Sequence, residues 1–592
     1  MTASKIENIR ILMEQAAIDA WMISITDKFG NEQLCEDQQK IKWLCGFDGS
    51  TGLMIITATK FVLFVDGRYT LQASLQINSS DIEILNFSEL DSWIRETFKN
   101  NATLGYDSWL LTINQEKVWA TRAKNYHFNL KSLDFNFIDI IWKDKPISKQ
   151  NNAFCLSYDV AGYTAQAKLD VLLKWMNENH LDHVLLSKNE SVNWLLNLRG
   201  CDTDYTPVFN CFALLHSDGT IDVFCNEELV TQDIKQSLES ICYFHNFEEM
   251  EKMFSQFSPL GVIALDPEHT SIAFQNLFFH HKNIIFVKDP ITLLKARKNR
   301  SERQAIRKSH LNEGVVLVNL MYWLNNETSY NPHNIFELDV VEKIEQLRGQ
   351  YHTYWGPSFP TIAASGDHAA IVHYRPNNTS NAKLEDGKVF LLDTGAHYNG
   401  GTTDMTRTIA IGDPSPEAIE MYTFVLKGHL ALGKAVFPEN TPGNFLDILA
   451  RQFLWKKGVD YNHGTGHGVG AFLNVHEGPH NISSSHNITA GLMSGMVVSN
   501  EPGYYEDFNY GIRIENLMLV QREPHNGALG KKFLSFETLT LVPYDRKLID
   551  KNLLSAEEIH QINTYHKHVY ATLSSHLEQS ISRWLYDQTQ PL

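Results

Sequence analysis

The stretch LLDTGAHYNGGTTDMTRT contains two aspartates that could bind a metal ion together. Asn399-Gly400 is the favoured dipeptide of a two-residue hairpin turn, and strand-forming residues flank it on both sides. With this turn, Asp393 faces Thr406 and becomes the diagonal neighbour of Asp404 on one face of the hairpin. Diagonal neighbours lie roughly 7–8 Å apart between backbones, so both carboxylates could reach one cation. A one-residue slip in register would place them on opposite faces.

An alternative interpretation is a polar hairpin with an exposed aspartate on each strand. Asp393, however, comes directly after the apolar run VFLL, which is typical of a buried strand. A buried and unpaired carboxylate is strongly destabilising unless a cation neutralises it. The flanking sequence therefore favours a metal site over a solvated hairpin.

Two histidines further along the chain have the spacing of metal ligands. His463 and His467 lie four residues apart in NHGTGHGVG, as in a helical zinc motif. The interleaved glycines disfavour a helix, because each costs about 1 kcal/mol relative to alanine in a helix interior. In an extended segment the even spacing still places both histidines on one face. Taken alone, the pattern favours a hydrogen-bonded loop histidine over a ligand for either one.

Two glutamates complete the set of candidate ligands. Glu501 follows a predicted strand at 495–499 and precedes the turn signal Pro-Gly. In YGIRIE, strand alternation places Arg513 and Glu515 on one face and the isoleucines on the other. A solvated salt bridge is the alternative for that pair. The apolar run LMLV that follows is typical of a buried strand, so we expect Glu515 to point into an enclosed site.

Composition limits the classes of function. The 592-residue chain is 43% hydrophobic and 20% charged, which is ordinary for a soluble globular protein of several domains. Its 51 basic and 69 acidic residues give a net charge of -18, which disfavours nucleic acid and anionic membranes as partners. The amino-terminal segment carries charges within its apolar stretch, and no run approaches the roughly 18 apolar residues of a membrane span. We therefore expect a soluble, cytoplasmic protein.

The cysteines also favour a reducing compartment. All seven lie between Cys35 and Cys242, and none has CxxC spacing. Because the second half of the chain has no cysteine, a metal site there must use oxygen and nitrogen ligands.

An internal repeat organises the first half of the chain. A helical stripe followed by a strand occurs twice, as IENIRILM before IDAWMIS and as LDVLLKWM before LDHVLLS. A pair of predicted strands follows in each copy, at 52–57 and 60–65 in the first and at 212–216 and 220–225 in the second. Two copies with interleaved helices and strands predict a duplicated α/β domain rather than a solenoid.

The predicted domains are 1–150, 151–295 and 296–592. The polar segment KDKPISKQNN breaks the apolar pattern at the first boundary. After the second boundary, Ser301 and Gln304 have the spacing of a capping box that opens a long helix. Neither repeat contains a glycine-rich phosphate loop or a nucleophile motif, so we expect the chemistry in the third domain.

The blocks VFLLDTGAHYNGGTTDMTRT, NHGTGHGVGAFLNVHEGP and SNEPGYYEDFNYGIRIEN, with AIVHYRP upstream, resemble the pita-bread metallopeptidases, most closely the aminopeptidase P family. The order Asp, Asp, His, Glu, Glu matches the five metal ligands of that family. The three-domain length, the duplicated amino-terminal units and the carboxyl-terminal tail extend the resemblance to essentially the whole chain. It implies two creatinase-like α/β domains followed by an α+β pita-bread catalytic domain, as in the long cytosolic form.

The resemblance implies hydrolysis of the amino-terminal residue from peptides whose second residue is proline. The implied catalyst is a hydroxide that bridges two divalent metal ions, most commonly Mn²⁺, with Co²⁺ or Zn²⁺ as alternatives. In the family pattern one metal binds the first aspartate, the other binds the histidine and first glutamate, and two carboxylates bridge. The implied ligands, in chain order, are Asp393, Asp404, His467, Glu501 and Glu515.

The resemblance also implies roles for side chains around the metals. His373 and His476 would stabilise the tetrahedral intermediate, and His463 would line the substrate pocket. Glu501 would shuttle a proton besides binding metal. Arg513 would orient Glu515 or Asp404 from outside the ligand set.

Three other functions share parts of this pattern. A prolidase has the same centre but cleaves only dipeptides, and the extra repeated domain favours the aminopeptidase. A creatinase-like hydrolase works without metal and would leave the carboxylates unexplained. A non-catalytic pita-bread module would bind peptides, although such modules typically lack the ligand set. The expected partners are X-Pro peptides and a second copy of the chain in a homodimer.

Overall fold

The computed structural model describes residues 2–77, 81–99, 101–149, 151–256, 261–330, 334–484, 490–524 and 530–592. The chain forms two compact units. One comprises Met1–Tyr158 and Tyr163–Ile291, and the other comprises Asp159–Gly162 and Thr292–Leu592. Residue 150, at the first predicted domain boundary, lies outside the described residues, and the predicted boundaries at 150 and 295 stay predictions.

The first repeat is a six-stranded sheet with helices on both faces. Its elements are, in chain order, α1 (Thr2–Gln15), β1 (Ala20–Ser24), α2 (Lys40–Cys45), β2 (Leu53–Thr57), β3 (Phe61–Val65), α3 (Thr70–Gln76), β4 (Glu83–Asn86), α4 (Leu90–Thr97), β5 (Thr103–Asp107), α5 (Ile113–Tyr126), β6 (Asn129–Leu133) and α6 (Phe137–Ile141). The strand order in the sheet is β4-β3-β2-β1-β5-β6.

The second repeat has the same architecture. Its elements are β7 (Phe154–Cys155), α7 (Tyr158–Ala161), α8 (Ala165–Glu178), β8 (His183–Leu186), α9 (Asn189–Leu196), β9 (Leu198–Arg199), β10 (Phe212–His216), β11 (Ile221–Cys225), α10 (Gln232–Leu238), β12 (Cys242–Asn246), α11 (Met250–Phe254), β13 (Ile263–Leu265), α12 (Ile272–Leu277) and β14 (Ile284–Phe286). The sheet order β12-β11-β10-β8-β13-β14 repeats that of the first copy strand for strand, which confirms the predicted duplication.

Strand alternation explains why each sheet is covered on both faces. In β1, Trp21 and Ile23 pack into the core beneath α1, α2 and α6, whereas Ala20 and Met22 pack into the core beneath α4 and α5. Strands buried on both faces read as continuous apolar runs, as in LMIIT of β2 and FVLFV of β3, whose residues are all buried. The predicted α/β class is therefore confirmed for this half of the chain.

The carboxyl-terminal part mixes helices with mostly antiparallel strands. Its elements are α13 (Pro290–Ala296), α14 (Arg300–Tyr330), α15 (Glu337–Arg348), β15 (Tyr354–Pro357), β16 (Ile362–Ser365), β17 (Val389–Thr394), β18 (Ala396–Tyr398), β19 (Gly401–Thr402), β20 (Met405–Ala410), α16 (Pro416–Gly433), β21 (Phe437–Pro438), α17 (Asn444–Trp455), β22 (Gly466–His467), β23 (Asn481–Ile482), β24 (Val497–Asn500), β25 (Gly503–Glu506), β26 (Tyr510–Arg513), β27 (Asn516–Arg522), β28 (Phe533–Thr538), α18 (Ala556–Leu573) and α19 (Gln579–Gln588).

The predicted hairpin forms in the predicted register. Tyr398 pairs with Gly401 across the Asn-Gly turn, and Asp393 pairs with Thr406 between β17 and β20. The hairpin lies in two small sheets, β15-β18-β19 near the turn and β16-β17-β20 further away. Another antiparallel sheet, β21-β28-β27-β24, contains the strands that border the two candidate glutamates.

The long helix at the start of this part begins earlier than the sequence pattern predicts. α14 starts at Arg300, and the capping box is made by Asn299 and Glu302 rather than by Ser301 and Gln304. The Asn299 side chain accepts from the Glu302 N–H at 3.1 Å, and Glu302 accepts from the Asn299 N–H at 2.8 Å. Asparagine is among the strongest N-cap residues, so this pair outcompetes the serine two positions later.

Two findings concern the environment of the protein. All seven cysteines are free thiols. Among the residues that the structure describes, no helix is long and apolar enough to cross a membrane.

Candidate metal centre

The hairpin brings both aspartates into the interior of the carboxyl-terminal unit. Asp393 lies near the end of β17 and Asp404 lies between β19 and β20, and both are buried. The Asp393 carboxylate accepts from Arg513 through Oδ2, at 2.6 Å from Nη2 and 3.2 Å from Nε. Both aspartates thus occupy the enclosed position that the apolar run before Asp393 predicts.

The glycine-rich loop forms an extended segment, as predicted, because its glycines meet neighbouring backbone. A Cβ atom on Gly466 would lie 2.1 Å from the Ser499 carbonyl oxygen, and one on Gly468 would lie 2.0 Å from the Glu477 carbonyl oxygen. This close approach lets β22 place the His467 side chain, which is 20% exposed, beside the carboxylates. The His467 Nδ1–H donates to the Gly468 carbonyl at 2.9 Å, which leaves Nε2 as the atom that faces the carboxylates.

The two glutamates come from the strands beside this loop. Glu501 directly follows β24, and its Oε1 accepts from the Ser499 hydroxyl at 3.2 Å. Glu515 lies between β26 and β27, and its Oε2 accepts from the Thr406 hydroxyl at 2.8 Å. Glu515 is almost fully buried, which agrees with the expectation of an enclosed site.

These side chains converge on one region. His467 Nε2 lies 3.5 Å from Asp404 Oδ2 and 3.5 Å from Glu501 Oε1. Asp404, His467 and Glu515 each bring one potential ligand atom within 4.8 Å of the others. Asp393 is close enough for the charges of Asp404 and Glu501 to influence its ionisation. The structure therefore brings together all five side chains that the family pattern implies as ligands.

Two carboxylate oxygens of the cluster lack hydrogen bonds from the described part of the chain, which leaves them available to bind a cation. Among the described residues, Asp393 Oδ1 and Glu515 Oε1 are buried oxygens without a hydrogen-bond partner. Leaving a buried acceptor unpaired is destabilising, and most buried polar atoms in proteins are paired. Four carboxylates and one imidazole form an oxygen-rich donor set suited to divalent cations.

The ionisation of the cluster reflects the same crowding of negative charge. Burial raises the pKa of Asp393 to about 6, and the neighbouring Asp404 carboxylate adds to this shift. Burial and the same neighbour raise the pKa of Glu515 well above its usual range. Burial alone would lower the pKa of His467, but contacts with Asp404 and Glu501 raise it to about 9. Divalent cations would replace protons at such a site.

Arg513 bonds directly to Asp393 among the candidate ligands. Its guanidinium pairs with Asp393, and it also donates to the Thr406 hydroxyl at 3.2 Å and to the Tyr505 hydroxyl at 2.7 Å. Arg513 thus reaches Glu515 only through the Thr406 hydroxyl, and the role of Arg513 in orienting Glu515 or Asp404 stays a prediction. Although alternation places Arg513 and Glu515 on one strand face, the long guanidinium reaches the adjacent β17, and Thr406 hydrogen-bonds Glu515 instead.

Sequence reasoning missed Tyr505, which links Arg513 to His463. Burial raises the pKa of Tyr505 to about 12, so its hydroxyl stays protonated. His463 donates from Nδ1 to the Gly464 carbonyl, which leaves Nε2 to accept from the Tyr505 hydroxyl at 2.9 Å. Strand alternation in GYYED could have indicated that one tyrosine lies on the same face as Arg513, because β25 and β26 pair as a tight hairpin.

The three other histidines that the family pattern implies have different surroundings. His463 Nδ1 lies 4.0 Å from Glu501 Oε2. The exposed ring of His476 stands edge-on to the His467 ring, with centroids 4.3 Å apart. His373 is half-buried in the turn after β16, next to Val372, whose carbonyl accepts from Arg513 Nη2 at 3.3 Å. His463 and His476 thus lie beside proposed ligands, and His373 directly follows a residue that contacts Arg513.

Comparisons with known families cover nearly the whole chain. Residues 304–522 match the model of metallopeptidase family M24, and residues 532–592 match the model of its C-terminal region. Residues 5–134 and 144–302 each match a creatinase/prolidase N-terminal domain. The duplicated sheets and the carboxyl-terminal unit thus correspond to known domain types.

Individual relatives extend over the full length. An Arabidopsis thaliana protein named aminopeptidase P2 is 35% identical over 99% of this chain and 88% of its own length. A Tuber melanosporum protein named probable Xaa-Pro aminopeptidase P is 34% identical over 100% of this chain and 99% of its own.

Two solved structures match this chain, one over its full length and one over part of it. A cytosolic X-prolyl aminopeptidase from Caenorhabditis elegans, described as having a dinuclear active site, matches with a TM-score of 0.96 at 32% identity and covers 100% of both chains. A Bacillus anthracis Xaa-Pro dipeptidase matches with a TM-score of 0.51 at 23% identity over 64% of this chain and 99% of its own, which indicates shared fold only. The chain therefore belongs to the M24 metallopeptidase family, in its aminopeptidase P branch.

Proposed function

We propose that the protein is a metalloaminopeptidase that removes the first residue from peptides with proline at the second position. The observation that carries this proposal is the buried cluster of four carboxylates and His467, in which Asp393 Oδ1 and Glu515 Oε1 have no partner among the described residues. The names of the full-length relatives support the same substrate class.

The proposed metal ligands follow the family pattern. Asp393 would bind one cation, His467 and Glu501 the other, and Asp404 and Glu515 would bridge the two. Two divalent cations balance four carboxylates, and the oxygen-rich donor set suits Mn²⁺, with Co²⁺ or Zn²⁺ as alternatives. The dinuclear active site described for the Caenorhabditis elegans enzyme supports two ions rather than one.

Two bound cations would supply a nucleophile at neutral pH and polarise the scissile carbonyl. The side chains around them would complete the chemistry. The exposed position of His476 beside His467 suits a donor to the oxyanion that develops on the substrate. His373 would act from the turn that follows Val372, and Glu501 would carry the proton that the prolyl nitrogen needs as it leaves.

Arg513 and Tyr505 would act through the residues they contact. The two guanidinium bonds fix Asp393 Oδ2, so that Oδ1 alone is left to face the metal position. Arg513 donates to the Tyr505 hydroxyl, and this hydroxyl donates to His463 Nε2. The proton of the neutral His463 ring is therefore on Nδ1. We propose that His463 lines the substrate pocket in this fixed orientation.

Selectivity for proline would come from shape. The proline ring fixes the backbone dihedral and removes an amide hydrogen, so a pocket can accept the ring and offer no acceptor for an N–H. An alanine at that position would fill the pocket poorly and leave its amide unpaired, each worth about 1–3 kcal/mol.

Specificity constants for three substrates test the function. We expect X-Pro-Y peptides to be cleaved far faster than X-Ala-Y peptides and faster than X-Pro dipeptides, whose carboxylate would approach the acidic cluster. A preference for the dipeptide would replace the proposal with a prolidase. Indifference to proline would indicate a broad aminopeptidase, and no cleavage would support a non-catalytic peptide-binding module.

Metal removal tests the proposed cofactor. Chelator-treated protein should lose activity, and Mn²⁺, Co²⁺ and Zn²⁺ should restore it to different extents at two ions per chain. We propose Mn²⁺ as the most activating ion. Restoration at one ion per chain would contradict the dinuclear arrangement.

We also propose a cytoplasmic homodimer. Seven free cysteines suit a reducing compartment, and the Caenorhabditis elegans relative is described as cytosolic. Phe445, Ile448 and Trp455 are exposed apolar side chains on α17, at a spacing that places them on one helix face. A second copy could cover this face. Light scattering should give twice the chain mass of 67.6 kDa, and Trp455→Glu should reduce it to the monomer.

A further inference from the structure

Behind the metal centre, one carboxylate is enclosed between two lysines. Lys295 Nζ donates to Glu477 Oε2 at 2.8 Å, and Lys298 Nζ donates to Glu477 Oε1 at 2.5 Å. All three side chains have 0% exposure. We call these three residues the Lys–Glu–Lys clamp. Lys295 lies in the last turn of α13 and Lys298 lies between α13 and α14, whereas Glu477 lies in the loop between β22 and β23.

The clamp is an unfavourable way to stabilise a fold. Taking charges out of water costs several kcal/mol per ion, and replacing a buried ion pair by apolar residues of similar size is often neutral or stabilising. Two ammonium groups bond the two oxygens of one carboxylate, and the buried Glu302 carboxylate contributes a further negative charge that acts on Lys298. Burial lowers the pKa of Lys298, which is the direction expected for an ammonium group removed from water. A role in positioning explains the clamp better than a role in stability.

The backbone of Glu477 connects the clamp to His467. The Glu477 N–H donates to the Gly468 carbonyl at 2.8 Å. The same carbonyl accepts from His467 Nδ1–H at 2.9 Å, the bond that leaves Nε2 facing Asp404 and Glu501. The clamped loop thus holds the carbonyl that sets the orientation of the His467 ring.

The clamp is also adjacent to His476. This residue precedes Glu477, and its ring is exposed while the next side chain is fully enclosed. On its amino-terminal side the His476 backbone is held by its N–H, which donates to the Asn474 side-chain oxygen at 3.2 Å. Anchoring Glu477 at both oxygens fixes that backbone one residue away, with the ring centroid 4.3 Å from that of His467.

We propose that the Lys–Glu–Lys clamp is a positioning device for the metal-facing His467 and the substrate-facing His476. This inference rests on the proposed function, because it assigns both histidines to the hydrolytic centre. None of the three clamp residues touches a reacting atom. They act through the Gly468 carbonyl and through the backbone of residues 476–477.

Lys298→Met is the principal test variant. It keeps the Lys295–Glu477 ion pair, at 2.8 Å, and frees Glu477 Oε1. We expect kcat at saturating Mn²⁺ to fall about 10- to 100-fold with KM within about threefold, as for partners that orient metal ligands. Lys295→Met should have the same effect through Oε2. The Kd for Mn²⁺, measured by competition with a chelator, should rise about tenfold.

Lys427→Met is the matched control. Lys427 pairs with Glu558 at 2.6 Å in the same unit, and its other hydrogen bond goes to the Leu553 carbonyl, so it contacts none of the site residues. The same substitution there should leave kcat, KM and metal affinity unchanged. Activity is expressed per folded, metal-loaded chain, so that a general loss of stability in either variant is not counted as a loss of kcat.

Hydrogen exchange separates failure of the clamp from failure of the proposed function. Exchange at the amide of Glu477 should speed up in metal-free Lys298→Met and not in Lys427→Met, whatever reaction the protein catalyses. If exchange, Kd and kcat all stay within twofold of wild type, the clamp is structural only. If wild-type protein binds no metal and cleaves no X-Pro-Y peptide, the proposed function fails, whereas the exchange result still decides whether the clamp holds the loop.

Discussion

The amino-terminal unit contains a second cluster of histidines around a carboxylate, and its hydrogen bonding is complete. Asp222 on β11 accepts from His216 Nε2 at 2.9 Å and from His245 Nε2 at 2.8 Å, one histidine for each oxygen. His216 Nδ1 then accepts from His183 Nδ1–H at 2.8 Å when His216 is neutral. These residues lie on neighbouring strands of one sheet and form a chain of bonds. In the metal centre, by contrast, Asp393 and Glu515 each keep a buried oxygen without a partner among the described residues.

The two clusters have similar side chains, but the pKa values of their carboxylates are shifted in opposite directions. Burial would raise the pKa of Asp222, yet the bonds from His216 and His245 outweigh it, and the pKa is lowered. At the metal centre burial and carboxylate neighbours raise the pKa of Asp393 and Glu515. The presence of histidines and acids together therefore does not identify a metal site. What identifies it is negative charge that the protein itself leaves unneutralised.

The strongest test of this contrast removes one carboxylate from each cluster. Asp404→Asn should lose metal and activity together, with kcat lower by more than about 10³-fold, beyond the range expected for residues outside the ligand set. Metal analysis and turnover of X-Pro-Y peptides measure both losses. The Asp222→Asn protein should keep the metal content and the kcat of the wild type. An Asp404→Asn protein with two metals per chain and normal turnover would remove Asp404 from the ligand set.

A second test separates chemistry from coordination within the centre. His373→Ala and His476→Ala should each keep metal content near the wild-type value and lower kcat roughly 10²- to 10³-fold, the usual effect of losing one oxyanion or proton-transfer group. Metal content and turnover are measured on the same preparations. A proportional fall in both would make that histidine a metal ligand.

The structure also distinguishes what the sequence predicts from what it cannot. The register of the hairpin follows from the Asn-Gly turn, because turn geometry and period-2 alternation are local. The partner of Arg513 is not local. A long guanidinium can reach several neighbours, and the strand that brings Asp393 to it is 120 residues away in the sequence. The pairing of Glu477 with Lys295 and Lys298 is similarly remote, and no spacing rule predicts a fully buried lysine.

Thr406→Val tests a smaller contribution at the same centre. The Thr406 hydroxyl donates to Glu515 Oε2 at 2.8 Å and accepts from Arg513 Nε at 3.2 Å, so it connects the arginine to the glutamate. Valine keeps the shape and removes both bonds, and we expect metal affinity or kcat to fall about 10- to 100-fold. Thr423→Val is the control, because the Thr423 hydroxyl is equally buried but bonds to backbone groups of Ile419 and Asp550, outside the cluster. Equal effects of the two substitutions would mean that Thr406 contributes only to packing.

The smallest expected effect is at the Asp222 cluster of the amino-terminal unit, and it concerns stability rather than catalysis. The folded-state pKa of Asp222 is lowered from its ordinary value of 3.8, so its stabilising contribution is present above pH 3.8 and is lost as the pH falls through the folded-state pKa. Asp222→Asn should therefore lower the free energy of unfolding by about 1–3 kcal/mol at pH 7, the usual cost of breaking bonds to a charged group. The difference from wild type, measured by urea denaturation, should narrow as the pH falls below 3.8. Asp233→Asn, a change at an exposed position, should alter the free energy of unfolding by less than about 0.5 kcal/mol at either pH. If the difference in unfolding free energy between Asp222→Asn and wild type instead grew in acid, burial would be destabilising the ionised Asp222 carboxylate, as it does at the metal centre. The contrast between the two clusters would then be removed.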